Sequence, residues 1–265
     1  MAISTVTSAD GTPIAVDTVG AAGTAVILVG GAFNDRTTVA ALATLLGTQF
    51  TAVTYDRRGR GDSGDDADEY AVDNEIDDLA AVIAHVGGKA GVFGHSSGGT
   101  LALEGVARGL PIDRVAVYET PYITDGSRPA PPADIFDRVK ALVAAADRDG
   151  AAALFLTEQV GVPAPMVADM RAAPVWPFLA GQASSLPYDI ALCGSGLRIP
   201  TERLASITVP ALVLNGDATE PWMQMAATAV AAAIPGAVHE VIAGQDHSIL
   251  QRPDLLAPVL ADFFG

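Results

Sequence analysis

A serine acts as a nucleophile only when the fold exposes its hydroxyl and a neighbour takes its proton. Gly94, Ser96 and Gly98 form a G-x-S-x-G pattern inside Val92-Phe93-Gly94-His95-Ser96-Ser97-Gly98-Gly99. The residues before it read as a strand over 90–93, and 100–108 reads as a helix. That context forces the serine onto a strained strand-to-helix turn with its Oγ exposed. Glycines two before and two after it let the two backbones pass closely. The following helix points its N-terminus at the site, so its free N–H groups favour negative charge. A pattern this short also arises by chance in loops rich in Gly and Ser. The flanking strand and helix set this one apart.

Ser96 needs a base. The chain has four histidines. His85 falls in an amphipathic helical stretch and His239 in a strand pattern, so both read as structural. His95 lies within the tight turn, where its side chain is expected to point away from Oγ. His247 stands in Gly244-Gln245-Asp246-His247-Ser248, a loop between the last strand and the last helix. In a parallel sheet that loop lies at the same edge as the serine turn, and an imidazole titrates near neutrality. The acid that would orient it has two candidate positions. Asp217 stands in Leu214-Asn215-Gly216-Asp217-Ala218-Thr219-Glu220, and Glu119 in Val117-Tyr118-Glu119-Thr120. Either preserves the order serine, acid, histidine. Turn capping is the structural alternative for Asp217, and an ion pair with an arginine is that for Glu119.

The elements that must position these residues alternate between strand and helix. A hairpin over 3–7 and 13–19 turns at Asp10-Gly11. Ala25–Val29 is a continuous apolar run, as in a strand buried on both faces. Helical 37–46, strand 50–55 and a loop over 56–64 follow. The stretch 73–86 places Ile76, Leu79, Ala80, Ile83 and Val86 on one face and acids in its first turn. Residues 114–118 make another strand. From 122 to 200 prolines recur, helical patterns span 135–146 and 151–160, and no strand pattern stands out. Strand 210–214, helix 222–234, strand 237–242 and a helix over 253–264 complete the chain. The expectation is an α/β fold: a mostly parallel, doubly wound, eight-stranded sheet from 1–121 and 201–265, with a helical cap over 122–200.

Four pieces together resemble the α/β-hydrolase superfamily over nearly the full length. They are Gly94-His95-Ser96-Ser97-Gly98-Gly99, the Asp56-Arg57-Arg58-Gly59-Arg60-Gly61-Asp62-Ser63 loop, Leu212-Val213-Leu214-Asn215-Gly216-Asp217 and Gly244-Gln245-Asp246-His247. The resemblance implies a catalytic triad of Ser96, His247 and an acid. Two departures matter. The first-loop motif of most members begins His-Gly, whereas here it is Gly30-Gly31-Ala32-Phe33. The oxyanion hole uses backbone N–H groups, assigned to Ala32 and Ser97, so the missing histidine need not abolish it. Where the family usually carries its acid, this chain has Thr219. A minority, including lactonases resembling the zearalenone-hydrolysing type, carry a glutamate at the end of the sixth strand, the place of Glu119. Burying an acid in an apolar strand end is costly without a partner, so Glu119 is preferred over Asp217. A serine at the nucleophile position argues against dehalogenase or epoxide hydrolase chemistry, which uses an aspartate there.

The implied reaction is hydrolysis of an ester or lactone with no metal and no organic cofactor. Phe155, Met166, Met170, Trp176, Phe178, Leu186 and Tyr188 would furnish a cap suited to an uncharged apolar substrate, with Phe33 and Trp176 the leading pocket residues. Two rival readings share the same residues: cofactor-free perhydrolysis of the haloperoxidase kind, and ligand binding without turnover.

Composition sets the remaining bounds. The chain has 265 residues, half of them hydrophobic (50%), enough for a large core. Its net charge of −16 argues against nucleic acid or an anionic membrane as partner. Cys193 is the one cysteine, which rules out an internal disulfide. No zinc spacing, P-loop or dinucleotide motif appears, and the acids over 73–78 read as a solvated helix start. Asp56, Arg57 and Arg60 read as locking their own loop through ion pairs. The N-terminus shows neither signal peptide nor membrane span, so the expected location is cytoplasmic. A small-molecule ester or lactone is the expected partner, and a homodimer the assembly if there is one.

Overall fold

Runs of apolar residues with no polar alternation demand a place in the middle of a sheet. β3 (Ala25–Val29) and β5 (Ala90–His95) take it, and every residue of both is buried. The computed structural model describes residues 4–21, 23–65, 70–124, 126–194 and 196–265. Ile3, expected to begin the first strand, lies outside them. β1 (Ser4–Thr7) and β2 (Pro13–Val19) pair as the hairpin, and β2 also runs antiparallel to β4 (Thr51–Tyr55). Between β3 and β4 lies α1 (Ala40–Leu46). After β4 come α2 (Val72–His85), β5, α3 (Ser97–Ala107) and β6 (Ile112–Tyr118).

The insertion between β6 and β7 is helical. It holds α4 (Ile135–Ala144), α5 (Arg148–Leu154), a π-helical turn (Phe155–Val160), α6 (Ala164–Ala172), α7 (Trp176–Gly181), a 3₁₀ turn (Ala183–Ser185) and α8 (Leu186–Cys193). An isolated bridge between Ile123 and Arg198 closes its base. Then follow α9 (Thr201–Leu204), β7 (Ala211–Gly216), α10 (Pro221–Ala233), β8 (Val238–Ile242) and α11 (Pro253–Phe264). The described sheet has eight strands in the order β1-β2-β4-β3-β5-β6-β7-β8. From β4 to β8 all pairs are parallel.

One core layer joins the sheet to α2, α3 and α10, the other joins it to α1 and α11. A third cluster lies within the insertion and includes Phe33 from the core loop. No helix among the described residues is long and apolar enough to cross a membrane.

Three expectations need correction. α3 begins at Ser97, not three residues later, because Ser96 alone makes the turn at φ 56°. α1 begins at Ala40 rather than 37. The Asp35 carboxylate accepts from the N–H groups of Thr37 (2.9 Å) and Thr38 (3.3 Å) and holds that stretch as a turn. The acids of α2 are not all solvated: Glu75 and Asp78 are buried, paired with Arg57 and Arg58. Spacing alone did not show that buried guanidinium groups wait beneath this helix.

Candidate active site

Among the described residues, three of the five non-glycine residues with positive φ belong to the candidate site: Phe33 (61°), Ser96 (56°) and Glu119 (49°). Such backbone is unfavourable for L-residues and persists where the surroundings over-determine it. At Ser96, packing does this. A β-carbon on Gly94 would overlap the Gly98 backbone, and one on Gly98 would overlap the Val29 carbonyl oxygen. The Ser96 N–H donates to the Tyr118 carbonyl (2.9 Å), while its own carbonyl accepts from Gly99 (2.9 Å). Ser96 is half-buried and faces a cavity of about 380 Å³.

Glu119 follows β6 and is fully buried at 1% exposure. Its Oε1 accepts from the Gly216 N–H (2.9 Å). Its Oε2 accepts from the Thr219 hydroxyl (3.1 Å) and lies 2.7 Å from His247 Nδ1. The neutral imidazole therefore carries its proton on Nδ1 and a lone pair on Nε2. Asp217 is exposed and accepts from the Gly244 N–H, which shapes the turn into the histidine loop. Thr219, in the family's usual acid position, points its hydroxyl at Glu119 instead.

The loop carrying His247 is fastened from several sides. Its Gln245 carbonyl accepts from the Ala218 N–H (2.9 Å), and its Asp246 carbonyl accepts from the Tyr118 hydroxyl (2.8 Å). His95 Nε2 lies 2.9 Å from the His247 carbonyl, and the two rings pack at 4.6 Å. His95 thus lines the cavity. Burial, aided by the facing His247, pushes its pKa down to about 3. It stays neutral and donates from Nε2.

The first loop approaches the serine from the other side. A β-carbon on Gly31 would stand 2.7 Å from Ser96 Cβ. The Gly31 N–H donates to Asn34 Oδ1 (3.0 Å) and its carbonyl accepts from the Asn34 N–H (3.2 Å), closing a turn with Ala32 and Phe33 inside. Ala32 and Ser97 both line the cavity. Ser97 opens α3, where backbone N–H groups have no helical partner.

Beneath this turn lies a buried ionic cluster that the sequence reading did not assemble. Asp189 of α8 accepts from the Ser97 hydroxyl (2.7 Å), Arg57 (2.9 Å) and Arg60 (2.7 Å). Arg57 also pairs with Glu75, and Arg60 donates to the Gly31 carbonyl (2.6 Å). Burial alone would raise the Asp189 pKa, but the charges of Arg60 and Arg57 hold it below the usual carboxylate range. Asp56, by contrast, pairs with Arg36.

Phe33 lines the cavity, together with Phe155 and Met170. Trp176 does not. It is packed in the core of the insertion, and its indole N–H donates to Asp149. The tryptophan on the cavity is Trp222, from the start of α10. Leu186 is core, Tyr188 stacks on Tyr70, and Phe178 is exposed. Among the described residues no group of three His, Cys, Asp or Glu could hold a metal ion.

A mostly parallel eight-stranded sheet, a strained serine after its fifth strand and a histidine after its eighth together define the α/β-hydrolase fold. Residues 25–259 match the model of the alpha/beta hydrolase family, and the chain belongs to that family. No curated protein matches it. An alpha/beta hydrolase from Sphaerobacter thermophilus is similar at 49% identity and TM-score 0.92, covering 99% of this chain and 100% of that one. An enol-lactonase from Burkholderia xenovorans (21% identity, TM-score 0.73) and a bromoperoxidase from Bacillus anthracis (18%, 0.76) share the fold. Each likeness covers 99% of both chains.

Proposed function

We propose that the protein is a serine hydrolase that cleaves a carboxylic ester or lactone of small to medium apolar body through an acyl-enzyme on Ser96. The observation that carries this reading is the 2.7 Å contact between Glu119 and His247 Nδ1, at a cavity that Ser96 also lines. The lone pair on His247 Nε2 takes the Ser96 proton as Oγ bonds to the carbonyl carbon. The N–H groups of Ala32 and Ser97 receive the oxyanion. As the tetrahedral intermediate collapses, the C–O bond to the leaving group breaks and His247 returns the proton to the departing alkoxide. Water then gives a proton to His247 and its oxygen to the acyl carbon. As the bond from the acyl carbon to Ser96 Oγ breaks, His247 returns the proton to Oγ, and the acid and Ser96 are freed. Glu119 fixes the imidazole tautomer and stabilises imidazolium in both halves.

The helical insertion over 122–200 acts as the cap. Phe33, Phe155, Leu156, Met170, Leu179 and Leu250 give the cavity apolar walls suited to an uncharged substrate. Treatment with a fluorophosphonate probe followed by peptide mass spectrometry tests the reading. An adduct on Ser96 that disappears in His247→Ala supports it, and absence of any Ser96 adduct while a control hydrolase is labelled refutes it.

A further inference from the structure

Two of the buried polar atoms that lack a hydrogen-bond partner among the described residues belong to residues lining the cavity. One is His95 Nδ1, beside the nucleophile. The other is the carboxamide oxygen of Gln159, on the insertion side. Gln159 is 5% exposed, so bulk water does not serve it. A buried carboxamide without a partner lowers stability, and a leucine or methionine would fill the same volume without that loss. The polar group therefore has its use when the cavity is filled.

Its mounting is unusual. Gln159 belongs to the π-helical turn Phe155–Val160, a backbone form that is rare and concentrated at functional sites. The wider turn brings Phe155, Leu156, Gln159 and Val160 all onto the cavity wall. Arg128 clamps this turn from behind. Its guanidinium donates to the carbonyl oxygens of Gln159 (2.9 Å) and Val160, and stacks 4.6 Å from the Trp222 ring. Gln159 is thus held by a braced backbone between the apolar cavity residues Phe155, Leu156 and Val160.

We infer that Gln159 is a specificity-determining residue that reads a hydroxyl on the apolar body of the substrate, away from the reacting carbonyl. A hydroxyl both donates and accepts, so it satisfies either end of the carboxamide. The substrate class narrows from plain alkyl esters or lactones to hydroxylated ones. This rests on the cavity being the substrate site proposed above.

The test uses p-nitrophenyl octanoate, a series of p-nitrophenyl hydroxyoctanoates with the hydroxyl at successive carbons, and hydroxyoctyl acetates with octyl acetate. Both sides of the scissile bond are thereby sampled. For the best-placed hydroxyl, the wild type should favour the hydroxylated ester by about tenfold in kcat/KM. Gln159→Leu should abolish or invert that ratio. Gln159→Glu, which still accepts, should keep the preference. Calorimetric binding of the same pairs to Ser96→Ala reads recognition without turnover. A hydroxyl preference there that Gln159→Leu removes supports the inference even if no ester is cleaved. Equal binding of plain and hydroxylated esters throughout, or a preference that survives Gln159→Leu, overturns it.

Discussion

The two acids that the sequence offered to His247 differ in one physical respect, burial. Glu119 is sealed among its hydrogen-bond donors, while Asp217 is exposed and shapes the Gly244 turn. Glu119→Gln keeps the shape but donates where it should accept, so it favours the wrong imidazole tautomer. We expect kcat on an activated ester to fall about a thousandfold or more. Asp217→Asn should stay within about threefold. The reverse pattern would move the acid to Asp217. His95 supports a second prediction. Its folded pKa lies below its unfolded value, so the unfolded chain binds a proton that the folded one refuses. Stability is then lost as pH falls below about 6.5. Between pH 7 and pH 4 the wild type should lose about 3 kcal/mol more than His95→Gln, measured by urea unfolding at each pH. A pH dependence unchanged by His95→Gln would show that the ring is protonated without cost. That His247 meets an acid beside Ser96 was legible because Ser96 and Glu119 follow parallel strands and His247 lies in the loop after the last one, all at one sheet edge. The resemblance together with the cost of burying an acid favoured Glu119 over Asp217. The place of Asp189 was not legible, since 92 residues separate it from Ser97 and nothing near it in sequence announces the contact. The sequence reading chose Trp176 for the pocket and passed over Trp222, because an aromatic ring in a helical stretch serves core and cavity alike.

The serine turn shows how an element imposes its own sequence. β5 and α3 cross so closely that Gly98 has the Val29 carbonyl where a side chain would begin. Gly98→Ala must push the strand or the helix aside. It should lower the melting temperature markedly and abolish fluorophosphonate labelling in any folded fraction. A soluble, labelled Gly98→Ala protein would show that the turn tolerates a β-carbon. A second element-level feature is the joint between α8 and the core. Among the described residues, Asp189 is the carboxylate partner of Arg60 and one of two for Arg57. Asp189→Asn removes charge without volume and leaves buried Arg60 uncompensated, so urea unfolding should show a loss of about 3 to 5 kcal/mol. A change below about 1 kcal/mol would mean the arginines find other partners. β3 and α11 were readable because their apolar patterns match the burial they reach. The ends of α1 and α3 were not, because Asp35 and the Ser96 turn set them by single contacts that periodicity does not carry.

At the scale of the whole molecule, charge and cavity select for the same kind of substrate. The chain carries a net charge of −16, and no lysine or arginine stands among the described residues that line the cavity. A ligand approaching the mouth crosses a negative field and then enters walls with no cation to receive an anion. Both steps favour a neutral ester. The field is screened over about 30 Å at 0.01 M salt and about 8 Å at 0.15 M. For a neutral ester such as p-nitrophenyl butyrate, kcat/KM should therefore change little across that range. For an ester that carries a free carboxylate, such as mono-p-nitrophenyl succinate, kcat/KM should start lower and rise severalfold with salt, as the repulsion is screened. The comparison also separates field from pocket. A charged ester that stays poor at high salt is rejected by the cavity wall, whereas one that recovers to the neutral rate was held off only at a distance. If the charged ester is instead preferred at low salt and loses ground as salt is added, a cation must be receiving it, and the neutral-substrate reading fails.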